Sequence, residues 1–95
     1  MSNADIVKML RLDLQNPPGA LDEYLAFLVR SAQEQIAEKG ITLDGSTEDA
    51  HLVVMYASWM YRRRNNIEGM PRMLQYALHS RLIREKGGVN GNVTG

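Results

Sequence analysis

The chain contains no cysteine, and its 95 residues carry a formal net charge of zero. Without cysteine there is no disulfide framework, no thiolate metal ligand and no thiol nucleophile, which suits a reducing compartment. A neutral chain also lacks the positive field that draws proteins to nucleic acid or to an anionic membrane surface. With zero net charge, charge repulsion also does little to prevent self-association.

Long hydrophobic runs are missing as well. The longest uninterrupted apolar runs are Leu52–Ala57 and the equally long Tyr24–Val29, which are far shorter than the ~20 residues that span a bilayer. The N-terminus lacks the apolar stretch of a signal peptide. We therefore expect a soluble protein that is neither secreted nor bound to a membrane.

Residues with catalytic or metal-binding potential are few and scattered. His51 and His79 are the only histidines, and neither has a histidine or a carboxylate four residues further on to make a chelating pair. No serine stands in a nucleophile-elbow pattern, and the glycines at 87, 88 and 91 follow the last predicted helix, whereas a phosphate-binding loop precedes one. We expect no enzymatic activity, no cofactor and no metal.

The zero net charge hides an uneven distribution along the chain. Residues 1–48 hold four basic and eight acidic side chains, whereas residues 49–95 hold seven basic and three acidic ones, so the halves carry formal charges of −4 and +4. A chain with an acidic half and a basic half can present complementary surfaces to copies of itself.

Hydrophobic periodicity predicts an all-α fold, a small bundle of about four helices. Ser2 and Ser46 each precede an acidic residue at the spacing of a helix-capping pair, consecutive prolines at 17 and 18 end the first helix, and Gly40 ends the second. The polar, glycine-rich end of the chain is expected to form a disordered tail. The predicted helices span about 4–13, 19–39, 47–65 and 70–86, in one domain of residues 1–86 followed by a tail of residues 87–95.

The third predicted helix is apolar on two sides, which places it either at the centre of a bundle or between a core and a subunit interface. One side holds Ala50, Val53, Val54, Ala57, Met60 and Tyr61, and the other holds Leu52, Tyr56 and Trp59. Between them runs a narrow stripe that we expect to face water, formed by His51, Ser58, Arg62 and Asn65. The core stripe predicted for the fourth helix comprises Met73, Leu74, Ala77, Leu78, Leu82 and Ile83.

Arg62, Arg63 and Arg64 end the third predicted helix, directly after its aromatic residues. Because successive helical residues point about 100° apart, the three guanidinium groups radiate around the helix end and do not form one flat basic patch. Three interpretations stay open from these residues alone. The arginines complement the helix dipole and cover apolar faces, they pair with carboxylates of a neighbouring subunit, or they contact DNA.

Taken in order, these segments resemble the small helical head–tail connector, or adaptor, proteins of tailed bacteriophages and prophages. The resemblance covers about residues 5–86. It rests on Val7-Lys8-x-Leu10-Arg11-Leu12-Asp13, on the amphipathic segment 21–28, on the apolar segment 52–59 with Tyr61-Arg62-Arg63-Arg64 after it, and on Gly69-Met70-Pro71-Arg72-Met73-Leu74.

The resemblance implies a structural role in the virion, at the head–tail junction, after expression and assembly in the bacterial cytoplasm. Such proteins form a ring beneath the portal, extend the DNA channel and carry later head-completion or tail proteins, and the family has no catalytic residues to transfer. We expect a homo-oligomer larger than a dimer, with DNA at most passing through the channel. Candidate interface residues are Tyr56, Trp59, Arg62, Arg63, Arg64, Met70, Arg72, Glu34 and Glu38.

The alternative is a small helical DNA-binding protein, a regulator or packaging factor, in which the third and fourth helices form a helix-turn-helix. Its recognition helix would offer only Arg72, Gln75 and Tyr76 to base edges. Steep loss of duplex affinity with rising salt would favour this alternative. A helical enzyme subunit is a third hypothesis, and it lacks an acid–base or metal constellation.

Overall fold

The computed structural model describes the backbone of residues 2–15, 17–64 and 69–94, and the side chains of these residues as far as Lys86. This part of the chain contains four α-helices and no strand, which confirms the predicted all-α fold. The helices are α1 (Asn3–Asp13), α2 (Asp22–Glu38), α3 (Thr47–Arg63) and α4 (Arg72–Thr94), and a single 3-10 turn, Gly19–Leu21, leads into α2.

Both predicted N-terminal caps are present. The hydroxyl oxygen of Ser2 accepts a hydrogen bond of 3.2 Å from the backbone N–H of Asp5, and Ser46 accepts one of the same length from Asp49. Each bond satisfies an amide that the first helical turn leaves without a partner. Gly40 adopts φ = 102°, so it ends α2 in the left-handed conformation that glycine adopts without strain.

The fourth helix differs from its predicted bounds at both ends. It begins at Arg72, where the carbonyl of Pro71 accepts a 3.0 Å hydrogen bond from Gln75, and its backbone stays helical as far as Thr94. The helical backbone thus extends past the predicted end at Gly87-Gly88, because a glycine costs a helix only about 1 kcal/mol relative to alanine and does not forbid it. The side chains of the predicted tail, residues 87–95, lie outside the described residues.

α3 is the central helix, since α1, α2 and α4 all pack against it. Leu52 and Tyr56 on one side and Val53 and Ala57 on the other are all buried, so both of its apolar faces lie within the subunit. The core that these helices enclose consists of Ile6, Leu10, Leu25, Leu28, Val29, Ala32, Ile36, Ile41, Ala50, Leu52, Val53, Val54, Tyr56, Ala57, Leu74 and Leu78.

Three residues differ in solvent exposure from what the sequence pattern predicted. Ser58 was predicted to face water, but it is only 2% exposed, because α3 has neighbouring helices on several sides. Met73 and Ile83 were expected in the core of α4, but they are 77% and 56% exposed. Helix α4 packs through Leu74 and Leu78, and Met73 and Ile83 project from its far side.

No helix in residues 2–15, 17–64 and 69–94 combines the length and the apolar character that crossing a membrane requires.

Candidate subunit interface

The arginine block at the end of α3 covers aromatic rings of its own subunit. The guanidinium carbon of Arg63 lies 4.6 Å from the centroid of the Trp59 ring, and that of Arg64 lies 4.0 Å from the centroid of the Tyr61 ring. Both distances fall within the range of cation–π attraction. The structure thus contains the first of the three arrangements considered for these arginines, in which they lie over the apolar faces of the helix.

Arg62 makes a different contact. Its Nη2 atom lies 3.6 Å from Oδ2 of Asp13 at the end of α1, and both side chains are about half exposed. An ion pair as exposed as this one contributes little to stability. Its guanidinium group therefore remains open to exchange Asp13 for a carboxylate of another molecule.

Of the two aromatic candidates in α3, Tyr56 belongs to the core. It is 3% exposed, and its hydroxyl donates a 2.8 Å hydrogen bond to Oε1 of Gln35 on α2. Burial raises the pKa of the Tyr56 hydroxyl above its usual value of 10.0. Trp59 packs edge-on against Tyr56, with ring centroids 5.5 Å apart, and is only partly buried, so it closes the edge of the core beneath Arg63.

The solvent-facing side of α2 is acidic and carries one large apolar residue. Glu23, Phe27, Arg30, Glu34 and Glu38, which we call the α2 outer face, recur at spacings that place them on one side of the helix. All five are exposed, and Phe27 is 53% exposed. The three glutamates form no ion pair with any residue in the described part of the chain. The face thus holds three carboxylates and one arginine around a phenylalanine.

The solvent-facing side of α4 has the opposite character. Arg72, Met73, Tyr76, His79, Ile83 and Lys86, which we call the α4 outer face, are all exposed. Tyr76 is 73% exposed and Met73 is 77% exposed. The only carboxylate of α4 is Glu85, which lies on another side of the helix and accepts a 2.7 Å hydrogen bond from the backbone N–H of Thr42. The α4 outer face thus combines apolar side chains with two fixed positive charges.

A buried ion pair that the sequence pattern did not reveal holds α4 against the bundle. The guanidinium group of Arg81 donates to both carboxylate oxygens of Asp49, and its Nη2 atom also donates a 2.8 Å hydrogen bond to the carbonyl of Thr42. The Asp49 side chain is 3% exposed and that of Arg81 is 12% exposed. The hydrogen bond to Asp49 is the main reason that the pKa of Arg81 is raised above its usual value.

One signal in the sequence could have singled out Arg81, although not its partner. Arg81 stands on the same side of α4 as Leu74 and Leu78, where a charged residue needs a buried partner. Asp49 was recognised only as the acid in a capping pair. Its partner lies 32 residues away along the chain, so local spacing could not identify it.

Ion pairs within the subunit neutralise part of the charge difference between the two halves of the sequence. Arg62 pairs with Asp13, and Arg84 pairs with Glu48, so each bond joins a basic residue of the second half to an acidic residue of the first. The carboxylates of the α2 outer face are left out of this pairing. The charge difference that remains is therefore located on particular helix faces.

The remaining candidates lie at the start of α4. Met70 is partly buried and packs against the core, whereas Arg72 is exposed. The side-chain amide of Gln75 donates a 2.7 Å hydrogen bond to the carbonyl of Met70, so this residue of the hypothetical recognition helix is occupied by its own chain. Residues 65–68, which would form the turn of a helix-turn-helix, lie outside the described residues.

Comparisons of the chain with protein-family models, with curated proteins and with solved structures find no match.

Proposed function

We propose that the chain is a structural component of a phage or prophage head–tail connector. In this role it assembles into a ring, links the portal to later head-completion or tail proteins and surrounds the channel through which DNA passes. It would act at the head–tail junction of the virion, after assembly in the bacterial cytoplasm. The order of motifs that resembles this family supports the proposal, and one structural observation carries it.

That observation is a row of exposed large apolar side chains on α4, together with one such side chain on α2; Leu12 on α1 is also exposed but stands apart from both. Phe27 lies on α2, and Met73, Tyr76 and Ile83 lie on α4. A monomeric soluble protein rarely leaves a row of such residues open to water. A ring requires that one surface of each subunit meets a different surface of the next, and the apolar row on α4 and the acidic α2 outer face around Phe27 are two such unlike surfaces on one chain.

The arginine block has a place in the same proposal. Arg62 and Arg63 are exposed at the end of α3, and their contacts with Asp13 and Trp59 leave part of each guanidinium group open to solvent. Glu34 and Glu38 are exposed carboxylates without an ion pair in the described residues, so they are suitable partners on a neighbouring subunit. The block then acts first through protein carboxylates and only second through DNA.

The test is co-sedimentation with portal-bearing capsids, with capsids that lack the portal as the control. We expect binding that depends on the portal, in a fixed number of copies per capsid, together with annular particles in negative-stain electron micrographs. Duplex binding is measured in parallel at ~0.15 M salt, because lower salt exaggerates exposed charges. Tight duplex binding without portal binding would replace the connector proposal with the DNA-binding alternative.

A further inference from the structure

The two outer faces of α2 and α4 are complementary to each other. We infer that the α4 outer face of one subunit docks on the α2 outer face of a second copy of the chain, so that subunits join head to tail. The inference rests on the proposed function, because in a ring each subunit contacts a copy of the chain through each of the two faces. It adds which surfaces meet and which residues anchor them.

Charge is the first argument for this pairing. The α2 outer face carries Glu23, Glu34 and Glu38 with a single arginine, whereas the α4 outer face carries Arg72 and Lys86 with no carboxylate. Docking one face on the other brings opposite charges together at the rim of the contact. Complementary rim charges fix the register of an interface and speed its formation.

The same charges exclude symmetrical pairing. Two α4 outer faces in contact would place the Arg72 and Lys86 side chains of both copies close together, and two α2 outer faces would do the same with glutamates. Like charges brought together across an interface disfavour that arrangement. Of the pairings that these two faces allow, only the head-to-tail one continues from subunit to subunit.

Apolar anchors and helix length are the second argument. Phe27 stands within its row of charged residues, and Met73, Tyr76 and Ile83 form a stripe that a phenylalanine ring can pack against. At 1.5 Å per residue, the segments 23–38 and 72–86 are about 24 Å and about 22 Å long, so the faces match along the helix axis. A contact between single helices of this length falls below the ~1,200–2,000 Å² of a standard interface, so we expect weak association that depends on concentration.

The test uses substitutions that remove the anchors without adding charge. Phe27→Gln disables the α2 outer face, and the double variant Met73→Gln/Tyr76→Gln disables the α4 outer face; glutamine is a good helix former, so α2 and α4 are expected to persist. Leu12→Gln is the matched control, since Leu12 is 68% exposed on α1 and belongs to neither face. Circular dichroism and thermal melting check that all variants fold, and sedimentation equilibrium gives their masses up to ~1 mM, the weak limit of ordinary affinities.

Each disabled variant is expected to associate about tenfold or more weakly than the wild type, because truncated anchors at the centre of a contact dominate its affinity. An equimolar mixture of the two variants is expected to form a dimer and to stop there, because each supplies the face that the other lacks. The control associates like the wild type. A mixture that stays monomeric, or a Phe27→Gln variant that assembles normally, overturns the inference.

Two further results separate this inference from the proposed function. Variants that still form portal-bound rings would refute the α2–α4 contact and leave the connector proposal standing. If the two variants form the mixed dimer but the wild-type chain does not bind the portal, the α2–α4 contact would be supported and the connector proposal refuted. Rising salt is expected to weaken the wild-type association, because it screens the rim charges. Association that strengthens with salt would contradict the charge pairing.

Discussion

Replacing Arg81 by methionine tests how α4 is held in place. Methionine keeps an unbranched stem of similar reach but removes the guanidinium group, which leaves the 3%-exposed Asp49 carboxylate without its cation. The carboxylate would keep only the hydrogen bond of 2.6 Å that it accepts from the backbone N–H of Asp44. The carbonyl of Thr42 would lose its 2.8 Å bond from Arg81 at the same time.

The expected loss in the free energy of unfolding is about 3 kcal/mol. Removing one partner of a buried ion pair typically costs 3–5 kcal/mol, and the lower end applies because the Arg81 side chain is 12% exposed, so that water can reach the site. A chain of this size has a total stability of roughly 5–15 kcal/mol, so this one change removes a large part of it.

Urea denaturation followed by circular dichroism measures the loss, and Arg84→Met is the control. Arg84 pairs with Glu48, but both side chains are more than half exposed, so its removal should cost less than about 1 kcal/mol. The double variant Asp49→Asn/Arg81→Met should recover about 2 kcal/mol of the loss, because asparagine is neutral and keeps an acceptor for Asp44. Equal costs for Arg81→Met and Arg84→Met, or no recovery in the double variant, would show that the Asp49–Arg81 pair does not hold α4 in place.

Three further predictions concern the loop before α3 and the end of that helix. Hydrogen bonds, first from the backbone N–H of Ser46 and then from its side chain, lower the pKa of Asp44 from 3.8 to about 2. The stability that they contribute is present above pH 3.8 and is lost as the pH falls towards 2, so Asp44→Asn should flatten the acid limb of a pH–stability curve, and an unchanged limb would contradict this assignment. Trp59→Ala should lower stability by about 3 kcal/mol, because its ring closes the core against Tyr56; a thermal melt like that of the wild type would show that the ring does not belong to the core. Reversing Arg62 and Arg63 to glutamate should weaken subunit association, and reversing Glu34 or Glu38 should partly restore it; loss of duplex binding with intact assembly would instead support the DNA-binding alternative.

The starts of α1 and α3 were predictable from sequence because their chemistry is local. Ser2 and Ser46 accept the amide hydrogen bonds that their spacing to an acidic residue indicates, and Gly40 ends α2 through its positive φ. The end of α4 was not predictable in the same way. A glycine pair lowers the helical preference of the chain without preventing helix formation, so the backbone continues to Thr94.

The candidate interface was only partly accessible from sequence. Periodicity showed that α4 is apolar at Met73 and Ile83, but it could not tell which apolar residues meet the bundle, because that depends on how the helix is rotated against α3. The predicted interface residue Tyr56 is buried within the subunit. Phe27 was not predicted, because a single aromatic residue among charged ones gives no periodic signal. The Asp49–Arg81 pair depends on tertiary contact over 32 residues, which no local pattern encodes.

We propose above all that copies of this chain join head to tail into a closed ring. Light scattering coupled to size-exclusion chromatography, over a concentration series up to ~1 mM and with and without the portal protein, tests it most directly. We expect a mass that passes beyond the dimer and levels off at a fixed larger value, because a heterologous contact closes only when the ring is complete. A mass that remains monomeric under all these conditions, or that levels off at a dimer, would contradict it.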